Sequence, residues 1–466
     1  MKRIIYLDFI AIFRNNCKEA EVINLKNMTE GNPIKLIFFF ALPLMFGNVL
    51  QQIYTIADTM IVGQFLGVDA LASIGACDWI NWAFLGMIMG YTQGFSIRIS
   101  HAFGANDFKT MKKTLIHIFV LCICIALLIT LFAHIIIEPL LLLLNTPNNI
   151  INGTLTYIRI IISGLIIVAF YNCFSSLLRA LGNSKTPLIA MIFASITNIV
   201  LDYLFVVHFK AGIGGAAVAT LIAQCLAASI CGYILFKELP FEFHRNDFVI
   251  EINIIKDLMN IATPLAFQNL IISIGGIAIQ NVANGFGYLF VAGFTATNKL
   301  YGILEVAAIS FGYAITTFTS QNFGAKKYIR LKKGVFEGNI LSLLASLIIS
   351  SIMIVFGKDI LMLFISGTNE EVTFVLNVAY RYLSYMAYFL PVLYILYTYR
   401  SALQGMENTI IPMISGIIEL IIRVSLVYTL TIFISHEGVY IAEVMAWVGA
   451  ATILYISYKI KIKNFA

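Results

Sequence analysis

Ionisable side chains are scarce in the apolar stretches of this chain, and they are unevenly shared. The first half places Asp58, Asp78 and Asp202 there against one base, Arg159, whereas the second half places Glu305, Glu419 and Glu443 against Lys299, Arg381 and Arg423. An ionised group in hydrocarbon is costly unless it is paired or hydrated. The second half can neutralise itself, with Glu419 and Arg423 one helical turn apart. The first half cannot, so its surplus acids must be protonated, hydrated or bound to a cation. A carboxylate whose state changes in this way is what an ion-coupling site requires. Other chemistries find no residues. There is no P-loop, HExxH, CxxC or Ser/His/Asp set, so no enzyme activity, cofactor or resident metal is expected. GIGGAA at 212–217 opens an apolar helix, with no strand before it, and reads as small-residue packing. Of the seven cysteines, all but Cys17 fall in apolar segments and read as buried thiols. His117 and His134 read as helix-face residues.

The elements that must hold these acids follow from composition. Of 466 residues, 60% are hydrophobic and 12% charged, against about 45–50% and about 25% in soluble domains. Mean hydropathy is +0.90. Continuous apolar runs near 20 residues favour helices over the alternating strands of a barrel. The expected fold is an all-α polytopic membrane protein with twelve transmembrane helices, at about 34–63, 70–95, 114–138, 152–178, 187–207, 213–236, 257–284, 288–316, 335–357, 372–400, 411–433 and 438–458. The tails and every second connection carry 24 of the 30 Lys and Arg, against two (Lys210 and Lys358) on the other side. By the positive-inside rule both termini are cytoplasmic. The net charge of +6 is then an orientation signal and implies no nucleic-acid partner.

An internal repeat orders the spans. ALPLMFGNVL at 41–50 matches ATPLAFQNLI at 262–271, pairing Pro43 with Pro264 and Asn48 with Asn269. SHAFGA at 100–105 matches SQNFGA at 320–325, and Lys112-Lys113 falls on Lys332-Lys333. ALGNSKTP ending at Pro187 matches GMENTIIP ending at Pro412. Six spans are duplicated, and because six is even the copies share one orientation, as two parallel-repeat six-helix lobes. The expected divisions are an N-terminal cytoplasmic tail 1–30 (an extension or a disordered segment), an N-lobe 31–236, a cytoplasmic linker 237–256, a C-lobe 257–458 and a C-terminal tail 459–466. Pro43 and Pro264 mark matched kinks, moving or static. Gly86, Gly90 and Gly94 form a small-residue packing seam.

Helical spacing gathers the polar groups on faces. Asn48, Gln51, Thr55 and Asp58 share one face of span 1, with Tyr54 a turn before Asp58. The related face of span 7 keeps Asn269, Ser273 and Gln280, but Ile279 stands in the place of Asp58. Asn198 and Asp202 share a face of span 5 with Ser195, and Thr220 and Gln224 share one on span 6. The second-half counterparts of Asn198 and Thr220 are Arg423 and Glu443, which with Glu419 form structural ion pairs. Asp58 and Asp202 therefore read as the ion-coupling site. Asn48, Gln51, Thr55, Gln224, Asn269, Ser273, Gln280 and Glu305 read as substrate-cavity groups. The 36 Phe and 22 Tyr suit a cavity for lipophilic cations.

The segment LPLMFGNVLQQIYTIADTMIVGQFLG, the SHAFGA turn, LLRALGNSKTP, NIVLD at 198–202 and GGAAVAT ending at Thr220 together resemble the multidrug and toxic compound extrusion (MATE) family, nearer its DinF-like prokaryotic branch. The resemblance runs from about Met28 to the C-terminus. It implies a secondary active multidrug efflux antiporter working by alternating access, which exports small cationic amphiphiles in exchange for H+ or Na+. It further implies a multi-pass, monomeric protein of the bacterial plasma membrane, with Tyr54, Asp58, Asn198, Asp202 and Thr220 as the ion-responsive set and with Na+ bound at Asp58, Asp202, Asn198 and Thr220 if sodium is the ion. Other branches carry an acid in the loop after span 10, where this chain has Asn408 beside Glu407, and a glutamate in span 7, where it has apolar residues near Ile272. A lipid-linked saccharide flippase of the same superfamily and an intramembrane enzyme are the alternatives. The flippase calls for more cavity cations, and the enzyme for a nucleophile that the sequence lacks.

Overall fold

The computed structural model describes residues 27–465 except 145, 245, 246, 366 and 367. Tail residues 1–26, with Cys17 and their five cations, and Arg245 lie outside the described residues. The described chain contains thirteen α-helices and no strand. The first seven are α1 (Pro33–Leu66), α2 (Val68–Gly104), α3 (Phe108–Leu143), α4 (Ile151–Ser163), α5 (Leu165–Ala180), α6 (Lys185–Asp202) and α7 (Gly212–Glu238). The second half supplies α8 (Ile252–Asn284), α9 (Tyr288–Gly324), α10 (Tyr328–Met362), α11 (Asn369–Gly405), α12 (Ile410–Ile434) and α13 (Glu437–Lys463). Local chemistry starts several of them. Asn32 caps α1 ahead of Pro33, Asp107 caps α3, and Thr368 and Glu371 form a capping box on α11.

α4 and α5 are two halves of one span bent by 48°, which gives twelve spans in all. The bend falls at Gly164, where a Cβ would lie 2.1 Å from Leu221 Cδ2. Among the described residues, nine helices are each long and apolar enough to cross a bilayer, or eleven spans when bent pairs are joined. The remaining one, α11, is 37 residues long and carries Arg381 and Arg400, so it depends on partners for its charges. α1 and α8 run unbroken through Pro43 and Pro264. α6 does not stop at Asp202 but continues as a π-helical turn, Tyr203–His208, a local geometry that often marks functional positions.

Apolar side chains form two large cores, one mostly from α2–α7 and one mostly from α9–α11 and α13. The first turns of α1, through Ile37, Phe40, Ala41 and Leu44, belong to the second core. α1 therefore joins the lobes, with one end packed in each. The glycine seam lies between the lobes: a Cβ at Gly90 would sit 2.4 Å from Ala266 Cα, and one at Gly94 2.4 Å from Ala262 Cα. Only glycine allows α2 and α8 so close.

At the end bearing both described termini, the repeated FGA turns meet reciprocally. A Cβ on Gly104 would lie 2.0 Å from the Gln321 carbonyl, and one on Gly324 2.0 Å from the His101 carbonyl. The turns match in backbone too, with φ of 56° at Asn106 and 57° at Lys326. Ser320 Oγ donates to the Ile97 carbonyl at 2.9 Å, and Gln321 Nε2 to the Ala180 carbonyl at 2.9 Å. Arg98 grips Glu407 at 2.9 Å.

The segment between α7 and α8 is tied to α3. Lys112 pairs with Asp247, Lys113 pairs with Glu251 at 2.6 Å, and the Glu251 backbone N–H donates to His117 Nε2 at 2.8 Å. The Lys112 ammonium holds the Asp247 carboxyl below the usual carboxylate range, and Lys113 does the same for Glu251. His117 is thus a clamp for this segment and not only a helix-face residue.

Candidate functional site

α1, α6 and α7 pack together and bring Asp58, Asp202, Asn198 and Thr220 to one place. Asp58 is 7% exposed, Asn198 1% and Asp202 0%. The two carboxyl groups lie within hydrogen-bonding reach of each other, with Asn198 beside Asp202. Asn198 Nδ2 approaches Thr220 Oγ1 at 3.4 Å, and that hydroxyl donates to the Ala216 carbonyl at 3.2 Å. Asp58 Oδ1, both Asp202 oxygens, Asn198 Oδ1 and Gln224 Oε1 are buried without a donor. Two ionised carboxylates offer each other no proton, so a shared proton or a cation would satisfy this cluster. The donor set is all oxygen, which suits a hard monovalent ion. Tyr54 and Gln224 line an adjoining cavity of about 10 Å³ with Asn198 and Thr220, room for about one water. Asp202 ends α6 where the π turn begins, so the site sits at the irregular part of its helix.

Among the described residues, no basic side chain pairs with Asp58 or Asp202. Arg159, the one base the first-half sequence offers within its spans, pairs with Glu138 at 2.7 Å. Asp78 instead feels Lys299 of the other lobe.

The second lobe is wired differently. Arg423 Nη2 contacts Glu419 Oε1 at 2.9 Å and Glu443 Oε1 at 2.8 Å, while Arg400 Nη2 contacts Glu419 Oε2 at 3.1 Å. These side chains are 5–12% exposed. Glu305, on α9, accepts from Tyr397 and lies near Arg400. The sequence balance is corrected here. Arg381 pairs with Glu437 and Lys299 forms no salt bridge with these acids among the described residues, so neither serves this network. Arg400 does, although its position at the end of a span reads from sequence as part of a connection. Among the described residues, Glu305 alone of the three second-half acids lacks a salt bridge. Gly275, the repeat counterpart of Tyr54, makes room for Arg423, since a Cβ there would sit 2.7 Å from Nη1.

The remaining cavity candidates disperse. Asn48 Nδ2 donates to Ser310 Oγ at 3.2 Å and Asn269 Nδ2 to the Gly86 carbonyl at 2.8 Å, both between lobes. Ser273 donates to the Asn269 carbonyl, Thr55 to the Gln51 carbonyl, and Gln280 to Asn284. Gln224 joins the first-lobe cluster. Residues missed from sequence are Arg400, Tyr397 and the Arg98–Glu407 pair. A signal for Arg400 was its position three residues after Tyr397 on a helix already rich in polar groups.

Comparisons with known proteins agree with this architecture. The family model MatE matches residues 43–204 and 264–429, one copy in each repeat. The chain is similar to "Probable multidrug resistance protein YpnP" of Bacillus subtilis, 31% identical over 367 residues covering 78% of this chain and 81% of that protein. It is also similar to "Probable multidrug resistance protein NorM" of Thermotoga maritima, 24% identical over 88% of this chain and 86% of that one. In fold it resembles a MOP superfamily transporter from Pyrococcus furiosus, with a TM-score of 0.89 at 22% identity, covering 96% of this chain and 99% of that one. A duplicated six-span architecture, a family match in both halves and a well-covered relative lead to one conclusion: the chain belongs to the MATE family of multidrug efflux transporters, which are not enzymes.

Proposed function

We propose that the protein is a secondary active antiporter of the bacterial plasma membrane, acting as a monomer with both termini in the cytoplasm. It exports small cationic amphiphiles in exchange for inward H+ or Na+. The observation that carries this reading is the Asp58–Asp202 pair, buried together in the first lobe with no cationic partner among the described residues. One proton, or one Na+ held by Asp58, Asp202, Asn198 and Thr220, discharges the pair. α1 spans both cores, so a change at Asp58 is passed toward Pro43 and the second lobe. The lobes, taken as 31–236 and 257–458 joined by 237–256, then part at the end sealed by the FGA turns and Arg98–Glu407. An organic cation and the coupling ion compete for the same negative charge, which makes the exchange obligatory. Glu305, hydrogen-bonded but not ion-paired, supplies a second anionic anchor for the cation. One charge moved through 100 mV supplies about 2.3 kcal/mol, roughly fifty-fold of concentration work.

The flippase alternative asks for cations that hold a pyrophosphate. Arg159, Arg400 and Arg423 are all committed to carboxylates, which favours the cationic substrate. Proteoliposomes loaded with an ethidium-like cation test the proposal, with pH and Na+ gradients imposed separately. The wild type exchanges under one of them, and Asp58→Asn and Asp202→Asn lose at least tenfold in rate. Wild-type rates in both variants would sink the assignment.

A further inference from the structure

The two Lys-Lys pairs of the repeat have different fates. Lys112 and Lys113 are neutralised by Asp247 and Glu251. Of their counterparts Lys332 and Lys333 on α10, Lys333 borders a pocket of about 730 Å³ lined also by Lys326, Lys327, Arg330, Tyr328 and Phe465. Among the described residues, Lys327 and Arg330 donate to neutral groups of the 28–31 segment, at 2.6–3.4 Å. Lys333, its side chain 65% exposed, makes only a long i,i+4 ion pair with Glu337 at 3.8 Å. The first turn of α10 has no acidic residue and its N-cap Lys327 no side-chain cap, so the helix dipole adds to the positive field.

An apolar stripe leads away from this pocket. Ile329, Phe336, Leu344 and Leu347, 85%, 66%, 53% and 53% exposed, lie at helical spacing on the face that also carries Lys333. A free anion needs no such stripe, whereas a phospholipid uses both parts, its phosphate in the pocket and its acyl chains along α10. We infer that this pocket is a binding site for the headgroup of an anionic phospholipid at the terminus-bearing end of the second lobe. Basic pockets at the end of membrane helices are suited to this recognition. The inference uses none of the coupling-site residues, so its failure leaves the transport proposal standing, and the reverse holds too.

The test is native mass spectrometry of the full-length protein, delipidated in detergent and titrated with POPG (anionic) or POPC (zwitterionic). The expected result is at least tenfold tighter retention of POPG. Lys326→Gln/Lys333→Gln lowers POPG affinity roughly thirtyfold, at about fivefold per lysine near the membrane surface, and the single Lys333→Gln gives about fivefold. Lys112→Gln/Lys113→Gln leaves POPG binding within about twofold of wild type. Equal retention of the two lipids, wild-type POPG affinity in the double variant, or glycerol 3-phosphate binding as tightly as POPG would each overturn the assignment.

Discussion

The two lobes descend from one repeat, yet their corresponding positions do opposite things with charge. Tyr54, Asp58, Asn198 and Asp202 of the first lobe fall on Gly275, Ile279, Arg423 and Val427 of the second. Where the first lobe buries two acids with no base beside them among the described residues, the second fills both acid positions with buried apolar side chains. It opens space with a glycine and inserts an arginine that bridges Glu419 and Glu443. Once neutralised, a buried network gains nothing from taking up an ion. An unneutralised pair gains from one, so on the proposed reading the same backbone makes a brace on one side and an ion-responsive site on the other. Burial turns each of these differences into a large electrostatic one.

Four measurements bear on that contrast. The largest effect is expected for Asp202→Asn, with at least a tenfold loss of gradient-driven exchange while the detergent thermal midpoint stays level or rises, since a buried unpaired acid is removed. A falling midpoint would make the pair a brace as well. Next, Arg423→Gln leaves Glu419 and Glu443 short of a base and should destabilise the second lobe by about 3–5 kcal/mol, read by thermal unfolding. An unchanged midpoint would break the comparison from the other side. Third, Gly90→Ala pushes a methyl against the Ala266 backbone and should weaken inter-lobe closure by about 1–3 kcal/mol. Faster thiol labelling of a Ser100→Cys reporter in that background checks it. The smallest effect lies outside the membrane. Lys112 and Lys113 lower the Asp247 and Glu251 carboxyls, so their stabilising contribution is present above the ordinary carboxylate range and is lost as pH falls through the depressed folded values. Hydrogen exchange of the 247–252 amides should therefore hold steady to below about pH 4, and Lys112→Gln/Lys113→Gln should move the loss of protection to higher pH.

Much of the candidate site was legible because its signals are local. Helical spacing put Asn198 and Asp202 on one face, and the offset of the repeat exposed Ile279 opposite Asp58. What spacing could not show was which charges meet across helices. Arg400 and Arg381 sit on one helix, yet α12 brings Glu419 to the first and α13 brings Glu437 to the second. Asn48 and Asn269 lie on the matching polar faces of α1 and α8 that suggested a cavity, and their amides make contacts between the lobes. His117 carries no local signal for a partner 134 residues away.

By itself the sequence determined the class of fold and its symmetry, because a bilayer demands long apolar helices and a duplication leaves a constant offset. It also determined the surplus of acid in the first half, since charge is counted without knowing contacts. Only the tertiary structure decided that two of those acids face each other, that α6 loosens into a π turn beside them, and that the twin glycine turns close the lobes against each other. Those outcomes depend on distances between segments far apart in the chain, which packing sets and local periodicity does not encode.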